Sequence, residues 1–455
     1  MLAVEPAKDG QPEPSRDDSR SLSVAPKPHD AGEARPAPSR RSLRGLDWFI
    51  FCVADVQTGF GPFVAVYLTT QKWTQVDIGL VLSAAGLVAL AGQMPGGALV
   101  DAARSERFVA GCAIVIIAVA ALTYASWPIF AVVLTAAVMH AAASCVLGPA
   151  IAAISLGLVG HAAIGERLGR NARFASIGNG LAAAAMGACG YFFSARAVFI
   201  ITALLLVPTL LALRAIAERE IDPERAHGGK PVRVVDDRPH LHVAHLEVPH
   251  LHMPVLLQKR PLLIFAGCIL LFHLANAAML PLMGSALTTR SSEWATVLIA
   301  ACIVVPQLVV AVISPWVGRQ AGIRGRRPLL LIGLAMLPIR GLLFALVSDP
   351  RLVVVVQVLD GVTAAMLGVL VPLIIADLTR GTGRFNLAQG VVGTMTGIGA
   401  AASATVGGYL TDYFSSQVAF LGLGAIAALC LATAIVLMPE TKPVEADVTA
   451  AAADR

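Results

Sequence analysis

Apolar positions fall into twelve long runs separated by short polar breaks. They cover 47–69, 76–99, 107–125, 128–157, 172–193 and 196–216, then 260–287, 294–318, 327–347, 350–377, 386–411 and 415–438. Each is near or above the roughly 20 apolar residues that a helix needs to cross a bilayer. Backbone polar groups cannot go unpaired in hydrocarbon, so such runs predict helices. The pattern therefore predicts an all-α membrane protein with twelve transmembrane helices, numbered here as spans 1 to 12. Polar stretches at 1–44, 217–259 and 439–455 divide the chain into two six-helix halves, 45–216 and 260–438. Residues 1–44 hold eight Lys/Arg and seven Asp/Glu among many Pro and Ser. With no apolar run they can build neither a core nor a secretory signal, and they read as a disordered tail.

Composition narrows the class further. Of 455 residues, 56% are hydrophobic and 14% charged, against about 25% charged in an average soluble domain. A mean hydropathy of +0.74 leaves too little polar surface for a water-soluble enzyme. The net charge of +5 is not gathered into a basic, aromatic-interleaved stripe, so nucleic acid is not an expected partner. Cys52, Cys112, Cys145, Cys189, Cys268, Cys302 and Cys430 all lie in apolar runs without CxxC spacing. They read as small hydrophobic residues rather than disulfides or a metal site.

Charge in the loops sets orientation. Arg104, Arg107, Arg167, Arg170, Arg173, Arg319, Arg324, Arg326, Arg327, Arg380 and Arg384 fall on one side, against Lys72, Arg196, Arg290 and Arg351 on the other. By the positive-inside rule, both termini and the central 217–259 segment face the cytoplasm. The halves also look like repeats offset by roughly 220 residues, as in many secondary transporters. Pro62 answers Pro281, Gln57 answers Asn276, Pro95 answers Pro315, and His140 with Gly148 answers Asp360 with Gly368.

The loop after span 2 reads Gly97-Ala-Leu-Val-Asp101-Ala-Ala-Arg104-Ser-Glu-Arg107, and that after span 8 runs from Gly318 through Gly322 to Arg326 and Arg327. Both resemble the G-x-L-x-D-x-x-x-R/K signature of the major facilitator superfamily, with Gly322 where that family has Asp. The resemblance covers roughly residues 45–440. It implies two six-helix bundles related by pseudo-two-fold symmetry, rocking about a central cavity lined by spans 1 and 7. It further implies that Gly97, Asp101, Arg104, Arg107, Gly318, Arg326 and Arg327 lock the halves together in one state. A glycine there lets helices approach, and a carboxylate at a helix end can bind basic groups or a neighbouring helix N-terminus. Two family features are missing. Ala137 and His140 stand where proton-coupled members carry an Arg in span 4, and span 5, with Gly178, Gly187 and Gly190, lacks the proline of the drug-exporter signature.

Ionisable groups at membrane depth cost about 2.5–3.5 kcal/mol on insertion scales, so each is a functional candidate. There are five: Asp55, His140, His273, Arg340 and Asp360. Asp55 shares a face of span 1 with Thr58, Gly59 and Pro62, and a carboxylate in a cavity can exchange a proton or bind a cation. The alternative is a hydrogen bond to a neighbouring helix. His273 and Asn276 share a face of span 7, where histidine suits a coupling group or fills the core. Arg340 needs a counter-charge, and Asp360 on the next span supplies one; because span 9 is peripheral in the family, a structural pair is favoured. Gln57, Asn179, Gln307, Asn386 and Gln389 can orient a substrate or bond helix to helix. Asp377 and Arg380 fit a local i,i+3 pair.

His227, His240, His242, His245, His250 and His252 cluster in the central segment. Imidazole suits Zn, Ni, Co or Cu, so His240, His242, His245, His250 and His252 are candidate metal ligands, or else part of an inert linker. The leading expectation is a proton-coupled secondary transporter of a small organic solute in the plasma (inner) membrane, with efflux favoured on family frequency. A divalent-metal exporter is the alternative within the class, and a receptor or scaffold on a transporter fold the alternative outside it. Substrate, protons and membrane lipids are the expected partners of a monomer without cofactors. No nucleotide-binding or catalytic motif points to an enzyme.

Overall fold

Local chemistry fixes several of the helix boundaries. This computed structural model describes residues 37–54, 61–229, 259–290, 295–347 and 349–443. They form helices and turns, with no strand among the described residues. The N-terminal half contains α1 (Arg40–Ala54), α2 (Gly61–Thr70), α3 (Gln75–Ala102), α4 (Glu106–Ser126), α5 (Phe130–Phe192), α6 (Ala195–Leu204) and α7 (Leu206–Ala215). A short α8 (Pro223–Ala226) follows. The C-terminal half contains α9 (Arg260–Asn276), α10 (Met279–Arg290), α11 (Ala295–Arg324), α12 (Arg327–Leu346), α13 (Pro350–Leu378), α14 (Phe385–Tyr413) and α15 (Ser416–Leu437). Asp55, Gln57 and the run His240, His242, His245, His250 and His252 lie outside the described residues.

Side-chain caps fix several starts. Thr74, Ser105, Ser194 and Ser415 accept from backbone N–H groups of the first turns of α3, α4, α6 and α15, satisfying donors the helix cannot. Among the described residues nine helical stretches are long and apolar enough to cross a membrane. They differ from the twelve apolar runs for local reasons. Spans 4 and 5 merge in α5, whose only interruption is Gly160 at φ 68°, ψ 177°. Only glycine enters that region without strain, so the chain kinks there and α5 is two helices meeting at Gly160 with no intervening loop. The stretch expected to loop between 157 and 172 is helical, and span 5 begins near His161. Span 1 is represented by α1 and α2. Span 11, α14, has its apolar residues diluted by Gly, Thr, Ser and Gln and packs on α3 and α9. Span 7 is broken after Asn276, because Pro281 has no N–H to donate back to Ala277.

The apolar core forms two clusters. One is made entirely of residues from 46–226. The other is built from 262–438 plus Ala98, Ala152, Leu156, Ile164 and Leu168 of α3 and α5, which marks where the halves meet. Large apolar side chains such as Leu211, Leu308, Val312 and Val436 are exposed. In water they would be a liability; facing lipid tails they are ordinary.

Candidate functional site

Two antiparallel helix pairs join the halves through backbone contact. Between α3 and α14, a Cβ at Gly97 would fall on the Asn386 carbonyl and one at Gly390 on the Gln93 carbonyl. A Cβ at Gly393 would lie 2.6 Å from Gln93 Oε1, and one at Gly397 2.8 Å from Leu90 Cδ1. Between α5 and α11, Gly165 and Gly318 each occupy the space above the other's carbonyl, and a Cβ at Gly169 would lie 2.5 Å from Ser314 O. Arg173 Nε then donates to Ala311 O at 2.8 Å. A shift of 221 residues carries Gly97 to Gly318 and Gly165 to Asn386, and likewise Gln93 to Ser314 and Gly169 to Gly390. Two rungs of each ladder, Gly97–Asn386 with Gly318–Gly165 and Gln93–Gly390 with Ser314–Gly169, therefore exchange under the shift. Both lie at the arginine-rich end; beyond Leu90, the Val76, Leu80, Leu82 and Leu87 side chains of α3 are exposed.

Around the ladders sit the polar contacts of that end. The Asp101 carboxylate accepts from Asn386 Nδ2 at 2.9 Å, Asn386 N at 3.2 Å and Leu387 N at 2.8 Å. It thus caps the start of α14, where the helix dipole favours an anion. Gly322, its counterpart under the same shift, has no carboxylate to offer, so the cap is one-sided. Arg107 stands 3.7 Å from Glu218, with Glu218 largely exposed, a pair of little strength. Arg104 is exposed.

The segment after α7 forms a clasp over this end rather than a free loop. Ser42 Oγ accepts from Ala217 N, and Glu220 accepts from Ser39. Asp222 N donates to Gly157 O, Phe385 N to His227 O, and Gly381 N to Gly228 O. Asn386 Nδ2 also reaches Ala226 O. His227 Nε2 lies 3.1 Å from the buried Glu106 carboxylate, so His227 belongs to this clasp and not to the downstream histidine run. Burial alone would push the His227 imidazole down, but its contact with Glu106 and the charges of Glu106 and Asp101 hold it above its usual 6.5. A raised value means that the pair's contribution is complete below about 6.5 and is lost as pH rises through the elevated value. We expect spin labels replacing Glu224 and Thr382 to show a narrow distance at acid pH that broadens on alkalinisation, and His227→Gln to remove that pH dependence. The same pH response in both proteins would contradict this assignment.

Each half is pinned internally at the same end. Asp47 on α1 is buried, and its carboxylate accepts from Arg167 Nη2 at 2.6 Å and from Arg170 Nη2 at 2.5 Å. Arg167 Nε continues to Asn171 Oδ1 at 2.6 Å, and Asn171 Nδ2 to Ser155 Oγ at 2.8 Å. In the other half Arg326 Nε binds Asp377 at 2.9 Å and its Nη1 binds Ala321 O at 2.8 Å. Glu440 accepts from Arg326 N and Arg327 N, capping α12. Burial would raise Glu440, but backbone N–H donors of Arg326, Lys442, Arg327 and Thr441 bring it below the usual carboxylate value. The expected Asp377–Arg380 pair is corrected here. The helix stops at Leu378, so Arg380 is not on its face but exposed in the turn, and Asp377 pairs with Arg326.

Deeper in the C-terminal half, the buried Arg340 of α12 donates to Asp360 of α13 and to Asn276 at the end of α9. Its guanidinium also lies 3.4 Å from Met279 Sδ. The break of span 7 after Asn276 brings these groups together. The Asp360 side chain keeps 27% of its surface exposed, against 3% for Arg340. The remaining candidates scatter. His273 is half-buried, with its ring edge on Phe272; His140, Asn179 and Gln307 are half-buried on α5 and α11. Asn386 and Gln389, for which substrate orientation and helix-to-helix bonding were both open, lie at the ladder end: Asn386 is fully buried against Asp101, and Gln389 Nε2 reaches its Oδ1 at 3.4 Å. The buried Asp47–Arg167–Arg170 network was not anticipated, and neither was Glu106–His227. An acid at the head of span 1 and arginines at i and i+3 were the available signals.

A family model described as Major Facilitator Superfamily matches residues 48–335 and 265–454. The chain belongs to the major facilitator superfamily. Two Mycobacterium tuberculosis proteins, from strains CDC 1551 / Oshkosh and ATCC 25618 / H37Rv, are each described as an uncharacterized MFS-type transporter. They are 38% identical to this chain over 412 residues, covering 90% of it and 95% of their own length. Among solved structures, the human organic anion transporter MFSD10 (TETRAN) superposes with a TM-score of 0.65 at 15% identity, over 88% of this chain and 100% of that one. The nucleoside transporter NupG superposes with a TM-score of 0.58 at 17% identity, over 88% and 99%. These superpositions speak for the fold alone. Membership in the major facilitator superfamily makes the chain a multi-pass membrane protein of a transport family.

Proposed function

We propose that this chain is a proton-coupled secondary transporter of a small organic solute, favouring export and working by alternating access. It would cross the membrane twelve times in two six-helix bundles, with the arginine-rich end and both termini in the cytoplasm. The observation that carries the reading is the exchange of the two glycine ladders under a 221-residue shift. Repeat-related surfaces that meet at one end, while α3 is exposed towards the other, are what a rocking pair of bundles needs. The present arrangement is then closed to the cytoplasm. A metal cargo has no support from the relatives or structures named above.

Asp55 is the proposed coupling carboxylate, and Arg340–Asp360–Asn276 a structural cluster that keeps the broken span 7 in place. The test is substrate-dependent proton movement in proteoliposomes, run over a broad solute panel with wild type, Asp55→Asn and Asp360→Asn. Asp55→Asn should leave the yield unchanged and abolish proton flux. Asp360→Asn leaves Arg340 buried without a counter-charge, a loss of about 3–5 kcal/mol, so yield and transport should fall together. Proton flux unaffected by Asp55→Asn would overturn the coupling role. Normal yield of Asp360→Asn with transport lost would overturn the structural one, and no flux for any solute would favour a receptor.

A further inference from the structure

The first five residues of α1 include Arg40, Arg41 and Arg44, and its first turn carries no acidic residue. That is the wrong charge for a helix start, where the dipole favours anions. All three are exposed, and among the described residues none is paired with a carboxylate. Of the nearby acids, Asp47 holds Arg167 and Arg170 and Glu220 holds Ser39; Glu166, exposed on the wall of a neighbouring groove, forms no ion pair with the three arginines. The fold does not demand this cluster, because the 221-residue shift carries the three arginines to Pro261, Leu262 and Phe265.

The cluster lies along a groove. Gly45 lets α1 approach α7, where a Cβ would stand 3.0 Å from Ala215 Cβ. The open groove between them has a volume of about 500 Å³, with the three arginines and Trp48 on one wall and Ala212 and Ala215 on the other. A second groove of about 440 Å³ shares Arg40 and Arg44 and runs towards Arg170. Trp48 follows Arg44 by one helical turn and is 57% exposed. An indole there fits the boundary between head groups and tails, where aromatic belts lie. Guanidinium groups bind phosphate with two parallel hydrogen bonds. Cations at one level, an indole at the next and a small apolar wall beneath match an amphiphile with an anionic head.

We propose that this groove binds an anionic phospholipid of the surrounding leaflet. Arg40, Arg41 and Arg44 hold its phosphate, and its acyl chains run past Trp48 against Ala212 and Ala215. The inference rests on the bilayer orientation given above and not on any particular cargo.

The test titrates the delipidated full-length protein with phosphatidylglycerol, phosphatidylcholine or inorganic phosphate and reads bound species by native mass spectrometry. Phosphatidylglycerol should bind about tenfold or more tighter than phosphatidylcholine, the effect expected when several surface arginines face an anionic head. The combined Arg40→Gln, Arg41→Gln and Arg44→Gln variant should lose that preference. Removing Arg319, Arg324 and Arg380, exposed at the same end, should leave it intact, which separates a local site from general charge. Equal binding of the two lipids, a preference that survives in the first variant, or equal loss in both variants would overturn the proposal. So would displacement of the lipid by inorganic phosphate at matched concentration. The proposal would also be overturned if the preference depended on the arginines only while residues 1–36 are present, which would assign the groove to acids of the chain's own N-terminal stretch.

Discussion

Replacing Gly97 and Gly318 together by alanine is expected to abolish the closed arrangement at the arginine-rich end while leaving each half folded. Each new methyl meets backbone, the Asn386 carbonyl in one ladder and the Gly165 carbonyl in the other, and backbone cannot move aside as a flexible side chain can. Overpacking of this kind typically costs about 1–3 kcal/mol per site, and sites in separate ladders should add. The cost falls only on the state in which the ladders are zipped, so the populations shift by about a hundredfold or more. Ser314, fully buried beneath Gly169, offers the readout. In a cysteine-free background, Ser314→Cys should react slowly with a membrane-impermeant thiol reagent from the cytoplasmic side. Adding the two alanines should raise that rate about a hundredfold and stop net transport. A slow rate with the alanines present would show that the ladders tolerate a methyl group and are not a gate.

The second large effect is on stability. Asp47→Asn should lower the stability of the solubilised protein by about 3–5 kcal/mol, the usual consequence of removing one partner from a buried ion pair. The Arg167 side chain, only 4% exposed, loses its counter-charge, and the chain Arg167–Asn171–Ser155 loses its anchor on α1. Arg170→Gln should cost under about 1 kcal/mol, because the Arg170 side chain is 54% exposed and water compensates its loss. Combining Asp47→Leu with Arg167→Met should recover most of the stability, since apolar replacement removes the stranded charge. Thermal melting across these variants checks the ordering. An Asp47→Asn protein that melts with wild type would contradict the pinning role.

What could be read in the sequence divides along physical lines. Apolar runs reflect one requirement, a helix in hydrocarbon, and they located the helices. The exceptions needed local geometry: Gly160 kinks α5 into two helices without a loop, and Pro281 breaks span 7 one turn before itself. The contact made by Gly97 and Asp101 was legible because the glycine and the carboxylate are close in sequence. Its receiving surface was not, because Asn386 lies 285 residues from Asp101 and carries no pattern that separates a helix-start donor from a substrate ligand. Asp47 was hidden for a similar reason. At the head of a span it looks like an ordinary interfacial acid until Arg167 and Arg170, on a helix distant in sequence, close over it. His227 was absorbed into a histidine-rich run by proximity, whereas its partner Glu106 follows the lock motif at the start of α4. Composition and periodicity report environment; pairings over long separations are decided by packing.

The central claim is that the exchanging ladders are one of two alternating closures. The most direct measurement is a pair of spin-label distances in wild-type protein reconstituted in liposomes, one between positions of Arg104 and Arg380 at the arginine-rich end, the other between Gln71 and Tyr413. Varying pH and solute, the account predicts two populations at each end that change in opposite senses, the first distance lengthening as the second shortens. A single distance at both ends under every condition, or both ends lengthening together, would contradict it.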